Sequence, residues 1–299
     1  MARYLDPKND LTFKRIFGEH PDLLKGFLNA VMPFAPDRYI DEIEYLPAEQ
    51  VPDIPGKKNS IVDVKCRDKS GRVFIIEMQM FWTEDFMNRV VFNASKAYVR
   101  QLDKKAHYHL LQPVYTLAIL NENFDHKTDQ FYHYYRIVNR ENSEEVIKGL
   151  EFVLVELKKF KPEKWSDRKL AALWLQFLRD VGEDMQVLPP ELAEDALIRK
   201  AAELCEESAF TPGELEAYEK YWDIVRTEKT LMASARAEGH AEGRAEGRAE
   251  GHAEGRAETE RSIILRSHRA GYPVETIATV TGLSCEEVIR MLEHENERE

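Results

Sequence analysis

The chain has 299 residues and a mass of 34.8 kDa, with 43% hydrophobic and 32% charged residues, enough apolar material for a sizeable core plus appendages and too much for wholesale disorder. No apolar run reaches the roughly 18 residues of a membrane-crossing helix, the opening residues 1–7 lack the apolar stretch of a secretory signal, and Cys66, Cys205 and Cys285 are spaced for neither a disulfide framework nor a zinc motif, so the reading is a cytoplasmic chain with no membrane partner. The net charge of −12 is uneven: residues 1–165 hold 25 Lys and Arg against 25 Asp and Glu, which leaves the whole acidic excess in 166–299 and directs any nucleic-acid binding to the front half.

Taken in order, residues 10–17 and 23–31 carry apolar side chains at helical spacing, with Pro33 closing the second helix. A loop rich in Pro47, Pro52, Pro55 and Gly56 follows. Two alternating runs, 61–66 and 73–80, flank a turn containing Gly71 and predict a hairpin. Residues 86–111 predict a long helix, and 114–120, 131–138 and 151–157 predict strands, the last a short one. Strands alternating with helices predict an α/β core with a mixed sheet over residues 1–165. An all-α extension over 166–235 follows, with helices at 169–181, 190–207 and 212–235.

Residues 236–260 form a third segment, in which Ala-Glu-Gly-Arg or Ala-Glu-Gly-His repeats from Ala237 onward. At about 100° per residue a four-residue period drifts by about 40°, so the four positions trace slow spiral stripes with Glu and Arg/His on nearly opposite sides. Glu and Arg never stand three or four apart, so ion pairs within the helix are absent. Each of the five glycines costs about 0.5–1 kcal/mol relative to Ala in a helix. Two readings follow: a solvated linker, or a stalk whose acidic stripe meets the basic stripe of a second copy and makes the chain a homo-oligomer. Met232, just ahead of the repeat, offers a start for a short C-terminal product. The tail, 261–299, reads as short helices at 263–270, 274–280 and 285–292 broken by Gly271-Tyr272-Pro273 and Thr281-Gly282-Leu283-Ser284, the outline of a helix-turn-helix. The start of its last helix carries Cys285, Glu286 and Glu287, which suit phosphate poorly, so a protein-binding module stands beside DNA reading.

The hairpin is the stretch that carries chemistry. A three-residue turn Lys69-Ser70-Gly71 with Gly left-handed pairs residues whose numbers sum to 140, which sets Asp63 opposite Glu77. Facing residues on one sheet face have Cβ atoms about 4.5–5.5 Å apart. Two carboxylates that close repel unless a proton or cation lies between them, and an oxygen-seeking divalent ion such as Mg²⁺ bridges such a pair. A solvent-facing pair with Lys65 as neighbour is the alternative.

Asp63, a hairpin and then Glu77-Met78-Gln79 resembles the PD-(D/E)xK nuclease motif, with Gln where Lys is usual. Together with Asp10-x-x-Phe13-Lys14-x-x-Phe17, the Ile76-Glu77-Met78-Gln79 core and the Ala-Glu-Gly-Arg repeat, it resembles the Rpn group of recombination-promoting nucleases, also called PD-(D/E)xK family transposases, over roughly residues 1–260. In that group Gln at this position is customary. The resemblance implies a restriction-endonuclease-like mixed sheet flanked by helices and a Mg²⁺-dependent DNA endonuclease linked to recombination or phage defence. Asp63 and Glu77 would hold the metal, with Met78 adding its backbone carbonyl. Gln79 would orient water or donate to a phosphate oxygen, and Lys65 would supply the charge that a neutral Gln lacks. Asp10 is a candidate outer ligand or the N-cap of the first helix. Candidate DNA contacts are Lys57, Lys58, Arg67, Lys69 and Arg72 around the hairpin, and Arg89, Lys96 and Arg100 on one face of the following helix beside Asn93 or Tyr98; an ordinary solvated face is the alternative. Pro52-Asp53 lies in the Pro-rich loop and is set aside, and His107 and His109 diverge on the predicted helix and so make no metal site. The rival functions are DNA binding without turnover and an oligomeric scaffold.

Overall fold

In the computed structural model residues 3–50, 60–102, 107–165 and 168–296 are described, and the chain divides into two units, Met1–Thr227 and Glu228–Glu299. The first begins with helices α1 (Asp10–Glu19) and α2 (Pro21–Val31). α1 turns Thr12, Phe13, Ile16 and Phe17 inward at helical spacing. Its N-cap is Asn9, whose side chain accepts from the Leu11 N–H at 3.0 Å, and not Asp10 as expected. Of two adjacent cap-forming residues, Asn9 takes the extended backbone of a cap, while Asp10 sits inside the first turn and pairs with Lys14 at 2.7 Å.

The strands are β1 (Ile43–Tyr45), β2 (Glu49–Gln50), β3 (Ser60–Ile61), β4 (Val64–Asp68), β5 (Val73–Gln79), β6 (Val114–Leu120), β7 (Tyr132–Val138) and β8 (Val146–Glu156). Six form one mixed sheet in the order β1-β4-β5-β6-β8-β7, and β2 pairs with β3 separately. β5, β6 and β8 run parallel; β1 and β4 extend the sheet antiparallel on one side and β7 on the other. Helix α3 (Glu84–Val99) makes the crossover from β5 to β6 and packs Phe86, Val90, Ala94 and Ala97 on one face of the sheet. The opposite face carries α1, α2, α4 (Lys169–Asp180) and, beyond the short α5 (Pro190–Glu194), α6 (Ala196–Glu203). Covered on both faces, β6 is buried at every position. Phe17 and Phe27 stack at 4.7 Å and the ring of Trp174 meets Phe27 edge-on at 5.5 Å, so the helical extension shares its core with the helices that open the chain.

Up to residue 207, four predicted elements differ from the observed ones, each for a physical reason. The helix expected over 86–111 stops at Val99. A 16-residue helix advances about 24 Å and the seven-residue β5 about 23 Å, so the crossover has already returned to the level where β6 begins. Residues 101 and 112 then bracket the connection, Gln101 donating to the Gln112 carbonyl and accepting from the Gln112 N–H, both at 2.9 Å. His107 and His109 consequently lie outside the helix with their rings stacked 5.5 Å apart, not diverging. The strand expected over 61–66 is cut by a bend at Asp63, where the chain leaves β3 for the main sheet. The helix expected over 190–207 breaks at Asp195, whose side chain accepts from the Leu197 and Ile198 N–H groups to start α6. The short strand expected over 151–157 is the end of the eleven-residue β8.

Helix α7 spans Pro212–Arg269 and takes in the whole tetrapeptide repeat. Nothing crowds the five repeat glycines, so packing does not explain their lack of a side chain. In the second unit Ile264, Ile277, Ala278 and Val288 form a small core between the end of α7, α8 (Val274–Thr281) and α9 (Cys285–Asn296). Gly282, left-handed at φ 77°, ends α8, and Ser284 and Glu287 cap α9 reciprocally: Glu287 accepts from the Ser284 N–H at 2.9 Å and donates its own N–H to Ser284 at 3.3 Å. One of the acidic residues at the start of α9 is thereby accounted for by helix capping.

Candidate functional site

The β4–β5 hairpin aims the candidate residues. Gly71 adopts φ 86°, and the register Val64↔Ile76, Lys65↔Ile75, Cys66↔Phe74, Arg67↔Val73 is the one the turn predicts. Asp68 locks the turn, accepting from the Arg72 backbone N–H at 2.9 Å and from the Arg72 guanidinium at 2.6 Å. Arg72 is buried in that pair with its guanidinium 4.9 Å over Phe34, which corrects its expected place on a DNA-binding surface.

One step beyond the paired residues, Asp63 reaches across to β5 and accepts from the Met78 N–H at 2.7 Å. The Val73 N–H and the Gln79 carbonyl both bond toward β6, so by strand alternation the Met78 N–H and carbonyl face the opposite side, where Asp63 lies. Glu77 is 5% exposed beneath α3, and its Oε1 accepts from the Asn93 side-chain amide at 3.1 Å. Burial is the main force on both acids. It pushes Asp63 up to about 6, against the Met78 hydrogen bond and with the added repulsion of Asp10. It pushes Glu77 up to about 7, reinforced by Asp63 itself. Two buried carboxyls of raised proton affinity, one of them raised further by the other, make a site that favours a proton or a cation.

The donor set fits a small divalent ion. Two carboxylates and a carbonyl directed toward them are hard oxygens, and an ion such as Mg²⁺ retains most of its own waters, needing few protein ligands. Among the described residues no group of three or more His, Cys, Asp and Glu gathers into a closed metal cage. Asp10, the candidate outer ligand, acts electrostatically on Asp63 together with its partner Lys14.

Arg89, Asn93 and Lys96 of α3, with Arg100 at its C-cap, follow one another at spacings of four, three and four along this face. Arg89 donates to the Gln79 side-chain amide oxygen Oε1 at 2.5 Å, Asn93 holds Glu77, and Lys96 donates to the Gln50 backbone carbonyl at 2.6 Å and to Ser60 at 3.1 Å. Arg100 stands near Lys65. The spacing showed the stripe but not its partners: Arg89 and Asn93, one turn apart, meet Gln79 and Glu77 of β5. Gln79 is consequently held at both ends, its amide nitrogen donating to the Phe81 carbonyl at 2.7 Å. One amide hydrogen of Gln79 stays available for a further acceptor.

The other expected residues lie apart from the acid pair. Lys65 shares its sheet face, yet the charges acting on it are Arg100 and Lys96 rather than carboxylates. Arg67 pairs with Glu44 at 2.6 Å, and Lys69 pairs with Glu42 at 2.5 Å, so the outer hairpin surface is charge-balanced. Lys57, Lys58 and Pro52-Asp53 lie outside the described residues.

The family model of PD-(D/E)XK nuclease family transposases matches residues 7–235. No curated protein and no solved structure matches the chain.

Proposed function

The chain belongs to the PD-(D/E)XK nuclease family transposases, and from that premise we propose that it is a Mg²⁺-dependent DNA endonuclease whose working carboxylates are Asp63 and Glu77. Nucleases of this superfamily generally use divalent metals and act on DNA. When bound, the ion supplies positive charge at the scissile phosphate and lowers the pKa of water beside it. The protein's own part is to hold and orient. Asp63, Glu77 and the Met78 carbonyl offer the ligand oxygens; Asn93 fixes Glu77 through Oε1, which leaves its second oxygen for the ion. Gln79, clamped by Arg89 and Phe81, points its remaining amide hydrogen at a phosphate oxygen. Arg89, exposed at the mouth, brings the cationic charge that Gln79 lacks. Asp10 and Lys14 flank Asp63 as an outer pair. Self-association through the helical extension or the repeat, a short product begun at Met232, and a role in recombination or defence belong to the same proposal.

The observation that carries this reading is Asp63 bound to the Met78 N–H beside Glu77, with burial raising the proton affinity of both carboxyls and Asp63 adding to the rise on Glu77. The test is conversion of supercoiled plasmid to nicked and linear forms by the full chain. Cutting is expected with Mg²⁺, none with EDTA, and a loss of more than about 1,000-fold in Asp63→Ala and Glu77→Ala, since each removes a ligand of the charge-stabilising ion. Equal DNA binding by all three with no metal-dependent cutting would favour the binding-only alternative.

A further inference from the structure

The side of α3 turned away from the sheet carries no charge where a surface helix normally carries most of it. Phe86, Val90, Ala94 and Ala97 pack on the sheet, and Arg89 and Asn93 form the edge that meets Gln79 and Glu77. At about 100° per residue a third stripe, Asn88, Val91, Phe92, Ser95 and Val99, points outward. Val91 is 43%, Phe92 41% and Val99 65% exposed. Single apolar residues on a surface need no explanation, but three on one stripe with only Asn88 and Ser95 between them make an unpartnered apolar face.

Charge says what covers it. Glu84 and Asp85, at the start of α3, are exposed and make no ion pair among the described residues. Residues 96–109, which begin in the last turn of the same helix, hold four Lys or Arg against one Asp. Lys96 stands 5.2 Å over the Phe92 ring and so brings that charge to the margin of the stripe. A face that is acidic at one end, apolar in the middle and basic at the other is complementary to itself turned end for end. We propose that the outer face of α3 is the contact with a second copy of this chain, the two helices antiparallel about a two-fold axis at Phe92. Such a contact is isologous: it sets Phe92 against the partner's Phe92, Asn88 against the partner's Lys96, and the acidic start of each helix over the basic end of the other. The stripe lies roughly 120° round the helix from the Arg89–Asn93 edge, so the contact does not use the residues that meet Gln79 and Glu77. The proposal stands whether or not the acid pair cuts DNA.

The test is sedimentation velocity of the full chain up to about 300 µM. Two helices each about 24 Å long offer an interface at the small end of the usual range, so the wild type is expected to dimerise at about 10–100 µM. Phe92→Asp, which opposes two carboxylates on the axis, is expected to weaken that step at least about 30-fold, and Phe92→Leu to keep it within about threefold. Glu84→Lys/Asp85→Lys changes only exposed side chains, so it tests the contact even where Phe92→Asp disturbs folding. It is expected to weaken the step about tenfold at low salt, with the loss shrinking as salt rises. A wild type that is monomeric at the highest concentration overturns the proposal. So does association left unchanged by either Phe92→Asp or the double Lys substitution, the result expected if the repeat alone joins the copies.

Discussion

Without metal at pH 8, Glu77→Gln is expected to be more stable than the wild type, and to bind Mg²⁺ no better than background. Burial, helped by Asp63, keeps the Glu77 carboxyl protonated up to about 7 in the folded protein, whereas in the unfolded chain it ionises near 4.3. Between those values the native state holds more protons than the unfolded state, so stability falls as pH rises through that window and stays lowest above it. The shift is a destabilisation of the metal-free native state above that window, shared between Glu77 and its neighbour Asp63. Gln keeps an oxygen for the Asn93 amide and carries no charge to desolvate. Melting in EDTA should therefore show Glu77→Gln above wild type at pH 8, with the gap closing toward pH 4. Added Mg²⁺ should raise the wild-type melting temperature and leave that of the variant unmoved. A wild type that is the more stable of the two at pH 8 would mean that the pocket is not short of a cation.

The second large effect concerns the pairing of Gln79 with Arg89. Arg89→Ala is expected to slow cutting by about 100- to 1,000-fold, the usual loss when one preorganised donor to a developing negative charge is removed; its charge also lowers the proton affinity of Asp63 and Glu77, so the loss is read at saturating metal. Gln79→Lys places the cation directly on the strand, as the wider superfamily motif does. In that background Arg89→Ala should cost far less, since the charge no longer has to arrive through the Gln79 amide. The two substitutions are thus expected to be strongly non-additive in a double-mutant cycle. Additive losses would assign Arg89 to general DNA attraction and detach it from Gln79.

How far the sequence could be read depended on whether local rules decided each feature. The hairpin register followed from one turn, because a left-handed Gly71 leaves few ways to pair the flanking strands; the expected pairing of Asp63 with Glu77 did not, since the ladder ends at Val64↔Ile76 and Asp63, at a bend, accepts from the Met78 N–H instead. The choice between Asn9 and Asp10 as cap could not be made locally, since both side chains suit the position and the fit of α1 against the sheet selects between them. The end of α3 was hidden for a similar reason. Its periodicity continues past Val99, but the length of a β-α-β crossover is set by the strand it spans. Arg72 read as a surface cation because its partner Asp68 lies across the turn, and the burial of that pair beside Phe34 is a tertiary fact. In the repeat, glycine costs argue against a helix, yet the segment continues a helix already under way from Pro212, so the unfavourable nucleation step is not paid again. Asn93 stood out only as a neighbour of the basic face, because an amide on a helix has no legible role until the carboxylate beneath it is known.

The account stands most directly on calorimetric titration of Mn²⁺ into the full chain at pH 6.5 in two buffers of different ionisation enthalpy. It predicts one site that releases protons on binding, because the ion displaces them from a pair that is still partly protonated at that pH, and it predicts that this site disappears in Asp63→Asn and in Glu77→Gln. Undiminished Mn²⁺ affinity in both variants, or binding with no proton release in wild type, would contradict it.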